Sequence, residues 1–151
     1  MRIMKQLILV TASIGFMATS QLALAQETPT TAPAGVKLVE AKDVQDLMAK
    51  GAKVVDTRRA SEYAEGTIKG ALNVPYDPEK SAKDAGFDPA QDKFDITKFA
   101  DKNATIVTFC NSGSCWKSYK AAVVLAKNGF KNIYWYRSGF PDWKARKLPT
   151  E

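Results

Sequence analysis

Histidine is absent from the 151-residue chain, and cysteine occurs only twice. Without an imidazole, the chain cannot form a Ser/His/Asp triad, a Cys/His nucleophile pair or a zinc site with histidine ligands. Two cysteines alone do not complete a structural zinc site. We therefore expect no metal and no other cofactor. Any cysteine nucleophile must be activated by backbone dipoles and by lysine or arginine.

A long membrane-spanning run is also missing from the N-terminus. The apolar run at 7–18 follows the basic residues Arg2 and Lys5, and it is too short to span a bilayer comfortably. Ala23-Leu24-Ala25 then ends in the small-x-small pattern that signal peptidase recognises. We predict a signal peptide over residues 1–25 and a mature protein that is periplasmic or secreted. The alternative is a retained anchor, but we expect no stable membrane anchor.

Positive charge is in modest excess. Arg2 and Lys5 belong to the predicted signal peptide, so twenty basic and sixteen acidic residues remain and the net charge falls from +6 to about +4. The lysines are scattered along the chain instead of clustering with aromatic residues, which argues against nucleic-acid binding. A mild positive field still helps to collect small anions.

The rest of the chain divides into a spacer and one domain. Residues 26–35 are rich in proline, threonine and alanine and predict a flexible spacer. Residues 36–150 form one domain in which strand and helix patterns alternate. Two segments interrupt the alternation, a surface loop predicted at 76–95 and a helical turn at Ile96–Ala100. We expect the long loop to border a site. Strands are predicted at Val36–Val39, Lys53–Asp56, Ala71–Val74, Thr105–Phe109 and Asn132–Trp135, and helices at Asp43–Lys50, Arg59–Glu65, Ser118–Asn128 and Phe140–Arg146.

This alternation predicts an α/β fold: a mainly parallel five-stranded sheet with helices on both faces. Ligands of such sheets lie outside the carboxyl ends of the strands, where Cys110 follows a strand directly. The small-residue turn 111–115 leads from Cys110 into a helix near Trp116. Backbone N–H groups in such a turn favour an anion, and therefore a reactive thiolate. The alternative is that Cys110 is a packing residue.

Three groups of residues resemble known motifs. The first group comprises Asp56-Thr57-Arg58, Ser61-Glu62-Tyr63, the run 66–71 and Asn73-Val74-Pro75. The second is Phe109-Cys110 with the Gly/Ser loop that follows it. The third comprises Gly129-Phe130, Asn132, Gly139, Trp143 and Leu148-Pro149. In this order and spacing they resemble a single rhodanese domain over nearly all of 36–150.

The resemblance implies a three-layer sandwich and a sulfurtransferase without a cofactor. Cys110 would take the outer sulfur of a small anionic donor such as thiosulfate, hold it as a persulfide, and pass it to cyanide or to a thiol, including one on a periplasmic protein. The backbone N–H groups of Asn111, Ser112, Gly113, Ser114 and Cys115 would bind the persulfide.

The chain departs from the family pattern at two positions. Cys115 stands where the family commonly has arginine, and Lys117 is the first basic residue after Cys110, so we expect Lys117 to attract the donor. Thr67 replaces a histidine that we regard as structural. Arg58 is a further candidate for donor binding; alternatively, it pairs with Asp56.

Cys115 leaves a second function open. In an exported protein, two cysteines five residues apart could form a disulfide across the loop. If Cys115 is a redox partner that resolves a persulfide or sulfenate on Cys110, the pair would form a thiol/disulfide centre. The alternative function is therefore a periplasmic redox module, or a non-catalytic sulfur-binding module, that uses both cysteines.

Overall fold

The computed structural model describes residues 26–151. The predicted signal peptide at 1–25 lies outside the described residues. Within 26–151, no helix is both long enough and apolar enough to cross a membrane.

The sheet has five strands, and every strand pair in it is parallel. In chain order the strands are β1 (Val36–Leu38), β2 (Lys53–Asp56), β3 (Leu72–Asn73), β4 (Thr105–Phe109) and β5 (Asn132–Tyr136). Their order across the sheet is β1-β5-β4-β2-β3. The predicted parallel sheet is confirmed, and β4 lies at its centre. Its residues 106–109 are all buried, as expected for a strand covered on both faces.

The described residues form four helices. They are α1 (Ala41–Ala49), α2 (Ala60–Glu65), α3 (Trp116–Lys127) and α4 (Gly139–Ala145). Successive residues of β4 point to opposite faces. Val107 packs in a core cluster with residues of α1 and α4, whereas Ile106 packs in a second cluster with residues of α3. The predicted three-layer arrangement is therefore confirmed.

Two helices begin two residues earlier than the sequence predicts. Helix α1 begins at Ala41, because Glu40 and Asp43 form a reciprocal capping box. Helix α3 begins at Trp116 instead of Ser118, directly after Cys115. The loop that carries Cys110 is therefore short, and it ends at the N-terminus of a 12-residue helix.

One carboxylate holds separate parts of the long loop at 76–95 together. Asp92 accepts hydrogen bonds from Tyr76 Oη, from Ser81 Oγ and from the Asp88 backbone N–H, each at 3.0 Å. The loop also contains a 3₁₀ turn at Glu79–Ala82, and a second such turn follows it at Ile96–Lys98. These bonds fix the position of the 3₁₀ turn that approaches α3.

The start of α4 packs against the backbone of Cys110. Gly139 adopts a left-handed φ of +68°, and a Cβ added there would overlap the Cys110 carbonyl oxygen. The same carbonyl accepts a hydrogen bond from Phe140 N at 2.9 Å. The position of Cys110 therefore depends on a residue without a side chain at 139.

We predict that Gly139→Ala destabilises the protein more than Gly129→Ala does. Gly129 is a matched control because its φ is +82° and nothing lies within 4 Å of an added Cβ. Both changes carry the cost of a left-handed alanine, about 1–2 kcal/mol. The overlap with Cys110 adds a further loss of about 1–3 kcal/mol. Denaturant unfolding measures both variants, and equal losses would contradict this account.

We predict that Asp92→Asn lowers stability by about 1–3 kcal/mol at neutral pH, because an ionised acceptor of three hydrogen bonds is lost. Burial raises the pKa of Asp92, but the hydrogen bonds from Asp88, Ser81 and Tyr76 outweigh it and hold the pKa below the ordinary 3.8. The stabilisation is complete above pH 3.8 and disappears as the pH falls through the lowered pKa.

The difference in stability between wild type and Asp92→Asn should therefore shrink as the pH falls below about 4. Thermal unfolding across this range measures it, and Glu65→Gln, at an exposed position, serves as the control. A constant difference at all pH values would show that the charge of Asp92 does not matter.

Candidate functional site

Cys110 lies directly after β4, at the carboxyl edge of the sheet. In register, the last residue of β4, Phe109, is paired with Asp56 of β2 and with Tyr136 of β5, so all three strands end together. Cys110 is 1% exposed and Cys115 is 6% exposed. The structure thus places the predicted nucleophile where ligands of parallel sheets bind, beneath its own loop.

The two cysteines are bonded to each other. Cys110 and Cys115 form a disulfide whose Cα atoms are 6.2 Å apart, and it closes the loop 111–114 into a ring. Neither sulfur is a thiolate in this state, and only a thiolate is nucleophilic. Reduction must therefore precede any attack by Cys110.

The loop presents several backbone N–H groups without an acceptor. Within residues 26–151, the N–H groups of Asn111, Ser112 and Gly113 donate to no other residue. The N–H of Ser114 lies at a long 3.4 Å from Ser112 Oγ, whereas that of Cys115 donates to Ser112 O at 3.0 Å. Together with the N-terminus of α3, these free donors favour an anion.

Lys117, the predicted donor-binding cation, is 1% exposed and forms an ion pair. Its Nζ lies 2.5 Å from Glu79 Oε2, on the 3₁₀ turn of the long loop. Glu79 and Lys83 line a cavity of about 190 Å³ beside Cys115. The long loop thus borders the candidate site, as expected, but no sequence pattern indicated the Glu79 carboxylate. An anion-attracting role for Lys117 stays a prediction.

Arg58 is held by the residues around it. Its guanidinium donates to both carboxylate oxygens of Asp56, at 2.6 and 3.0 Å, and to Gly66 O at 2.7 Å. Thr67, at the position where the family has histidine, donates to Asp56 at 2.8 Å. This favours the alternative in which Arg58 pairs with Asp56. Its proposed contact with a sulfur donor stays a prediction.

The remaining polar side chains of the loop brace it. Asn111 Nδ2 donates to Glu62 Oε1 at 2.8 Å, and the hydroxyls of Ser112 and Ser114 are 2.8 Å apart. Within the described residues, no cluster of three or more histidine, cysteine and carboxylate side chains could hold a metal ion. The site therefore offers a sulfur pair and backbone donors, while Arg58 and Lys117 are already paired with carboxylates.

Sequence reasoning missed two residues that contact the loop, Thr28 and Arg137. Thr28 comes from the segment predicted to be a flexible spacer, yet it is 3% exposed and bonds to Gly113. Nothing in the composition of residues 26–35 indicates this contact with the loop. Arg137 directly follows β5 at the same sheet edge as Cys110, and this position was the available signal.

Comparison with known proteins identifies the domain. A model of the "Rhodanese-like domain" matches residues 40–146. A thiosulfate sulfurtransferase GlpE from Pseudomonas fluorescens (strain SBW25) is 31% identical over 112 residues, covering 72% of this chain and 85% of that protein. The thiosulfate:glutathione sulfurtransferase of Homo sapiens is 28% identical over 115 residues, covering 76% of this chain and 98% of that protein.

The fold is also similar to that of solved structures. The crystal structure of the BH2092 protein from Bacillus halodurans superposes with a TM-score of 0.58 at 25% identity, covering 76% of each chain. The resemblance that the motifs indicated is thus confirmed, and the chain belongs to the rhodanese-like domain family.

Proposed function

We propose that this protein is a sulfurtransferase that carries sulfur on Cys110. One observation carries the proposal: Cys110 directly follows the central strand and begins a loop in which three backbone N–H groups have no acceptor within residues 26–151. Relatives named as thiosulfate sulfurtransferases support the same activity in general terms. The donor is a small anion such as thiosulfate, and the acceptor is a thiol or cyanide.

The chemistry consists of two displacements at sulfur. The Cys110 thiolate attacks the outer sulfur of thiosulfate, a new S–S bond forms, and sulfite leaves with the electron pair of the broken bond. The acceptor thiolate or cyanide then attacks the outer sulfur of the persulfide and releases the Cys110 thiolate. Neither step needs a histidine base, because sulfur is anionic throughout and the loop N–H groups stabilise it.

Because Cys110 and Cys115 are bonded, reduction must precede this cycle. A thiol reductant opens the bond between Cys110 and Cys115 by exchange, and the freed Cys110 thiolate then meets the donor. Cys115 lines the cavity beside the loop, together with Ser114 and Asn111, so it offers the sulfur for that attack. Cys115 is not needed for the transfer itself.

We predict that reduced protein gains one sulfur atom after exposure to thiosulfate and that this gain depends on Cys110. Intact-mass analysis should show it in wild type and in Cys115→Ser, which cannot close the disulfide, but not in Cys110→Ala. The sulfur should leave again when cyanide or a thiol is added.

The two cysteine variants also test the alternative function. A thiol/disulfide redox pair would lose activity with either substitution, because it needs both sulfurs. The proposal would be overturned if Cys115→Ser gained no sulfur from thiosulfate, or if Cys110→Ala still gained it.

We also propose that the protein is exported, with residues 1–25 as its signal peptide, Gln26 as the mature N-terminus and a periplasmic thiol as acceptor. The charge and apolar pattern of 1–25 and the small residues at 23–25 support this. Mass spectrometry of protein recovered from its producing cells should find a chain that begins at Gln26. An intact N-terminus on the mature protein would refute export by cleavage.

A further inference from the structure

The segment Gln26–Pro29 lies across the loop that carries Cys110. The Gly113 carbonyl accepts hydrogen bonds from Thr28 N at 2.8 Å and from Thr28 Oγ1 at 2.5 Å. Trp116, the first residue of α3, donates its indole N–H to Gln26 O at 2.6 Å. The segment therefore bonds to the middle of the loop and to the helix that follows it.

Arg137 holds this segment in place from the end of β5. Its Nε donates to Thr28 Oγ1 at 3.1 Å and to Pro29 O at 3.0 Å, and its Nη2 donates to Thr28 O at 3.0 Å. Glu27 lies 3.3 Å from the same guanidinium. The planar fork of arginine matches this set of acceptors, and a lysine could not reproduce it.

Gly113 fits under the guanidinium because it has no side chain. A Cβ at Gly113 would lie 2.6 Å from Arg137 Cζ, so any other residue would displace the arginine. We call Thr28 and Arg137 together the clamp. The clamp bonds the Gly113 carbonyl and does not bond the N–H of the next residue, Ser114.

The clamp fixes the direction of one loop N–H. In a planar trans peptide, the carbonyl and the following N–H point in opposite directions. Because the Gly113 carbonyl is bonded to Thr28, the Ser114 N–H points away from Thr28, and its nearest acceptor is Ser112 Oγ at a long 3.4 Å. Such a weakly bonded donor is available to a stronger, anionic acceptor.

We infer that the clamp positions the loop so that the Ser114 N–H donates to anionic sulfur on Cys110. The segment 26–29 is thereby part of the active site, and Thr28 and Arg137 are positioning residues that act through the Gly113–Ser114 peptide. The inference rests on the proposed function for its use in catalysis, but the effect on the Cys110 thiolate is measurable without sulfur transfer.

The test is the pKa of the Cys110 thiol, measured in a Cys115→Ser background where Cys110 is the single cysteine. The pH dependence of alkylation by iodoacetamide gives this pKa. Thr28→Val removes the hydroxyl without changing any charge, and we expect it to raise the pKa by about 0.5 to 1, since one hydrogen bond to the thiolate is weakened. Thr28→Ser, which keeps the hydroxyl, should restore the parent value.

Thr30→Val is the matched control, because Thr30 is exposed. An unchanged thiol pKa in Thr28→Val, even with a lower melting temperature, would overturn the inference and leave Thr28 a purely structural residue. The thiol pKa could also rise in Thr28→Val while reduced wild-type protein takes up no sulfur from thiosulfate. That result would support the clamp and overturn the proposed function. The two ideas can therefore fail separately.

Discussion

Parallel pairing of β4 with both of its neighbours is the constraint on which the rest of the site depends. Because the register aligns Phe109 with Asp56 and with Tyr136, the chain leaves three adjacent strands at one edge. Cys110 and Arg137 follow two of those strands directly, and Arg58 lies two residues beyond the third. A sheet with one antiparallel strand at this place would send that residue to the opposite edge.

The cations at this edge hold the protein's own structure together. Arg58 is bonded to Asp56, Lys117 to Glu79, and Arg137 to the backbone of Thr28 and Pro29. The charges of Arg58 and Lys117 are therefore balanced by carboxylates, and within the described residues the loop itself presents backbone N–H groups without an acceptor. Neutral dipoles that are fixed in place can stabilise an anionic sulfur without the cost of rearranging flexible side chains.

The sheet and the position of Cys110 could be predicted from the sequence because both depend on short-range pattern. Buried strands are apolar runs, and a strand, a small-residue turn and a helix start occur in sequence around Cys110. The partners of Lys117 and Arg137 could not be predicted in this way. Glu79 is 38 residues from Lys117, and Thr28 is 109 residues from Arg137, and no local periodicity records such pairs.

The bonds made by Gln26 and Thr28 bear on where this domain begins. The family match starts at residue 40, after both of them. A polypeptide trimmed to that match would lose β1 and would also leave Arg137 and the Trp116 indole without their backbone acceptors. Boundaries drawn from similarity alone would thus remove residues that bond to the loop carrying Cys110, and an affinity tag fused close to Gln26 would lie beside that loop.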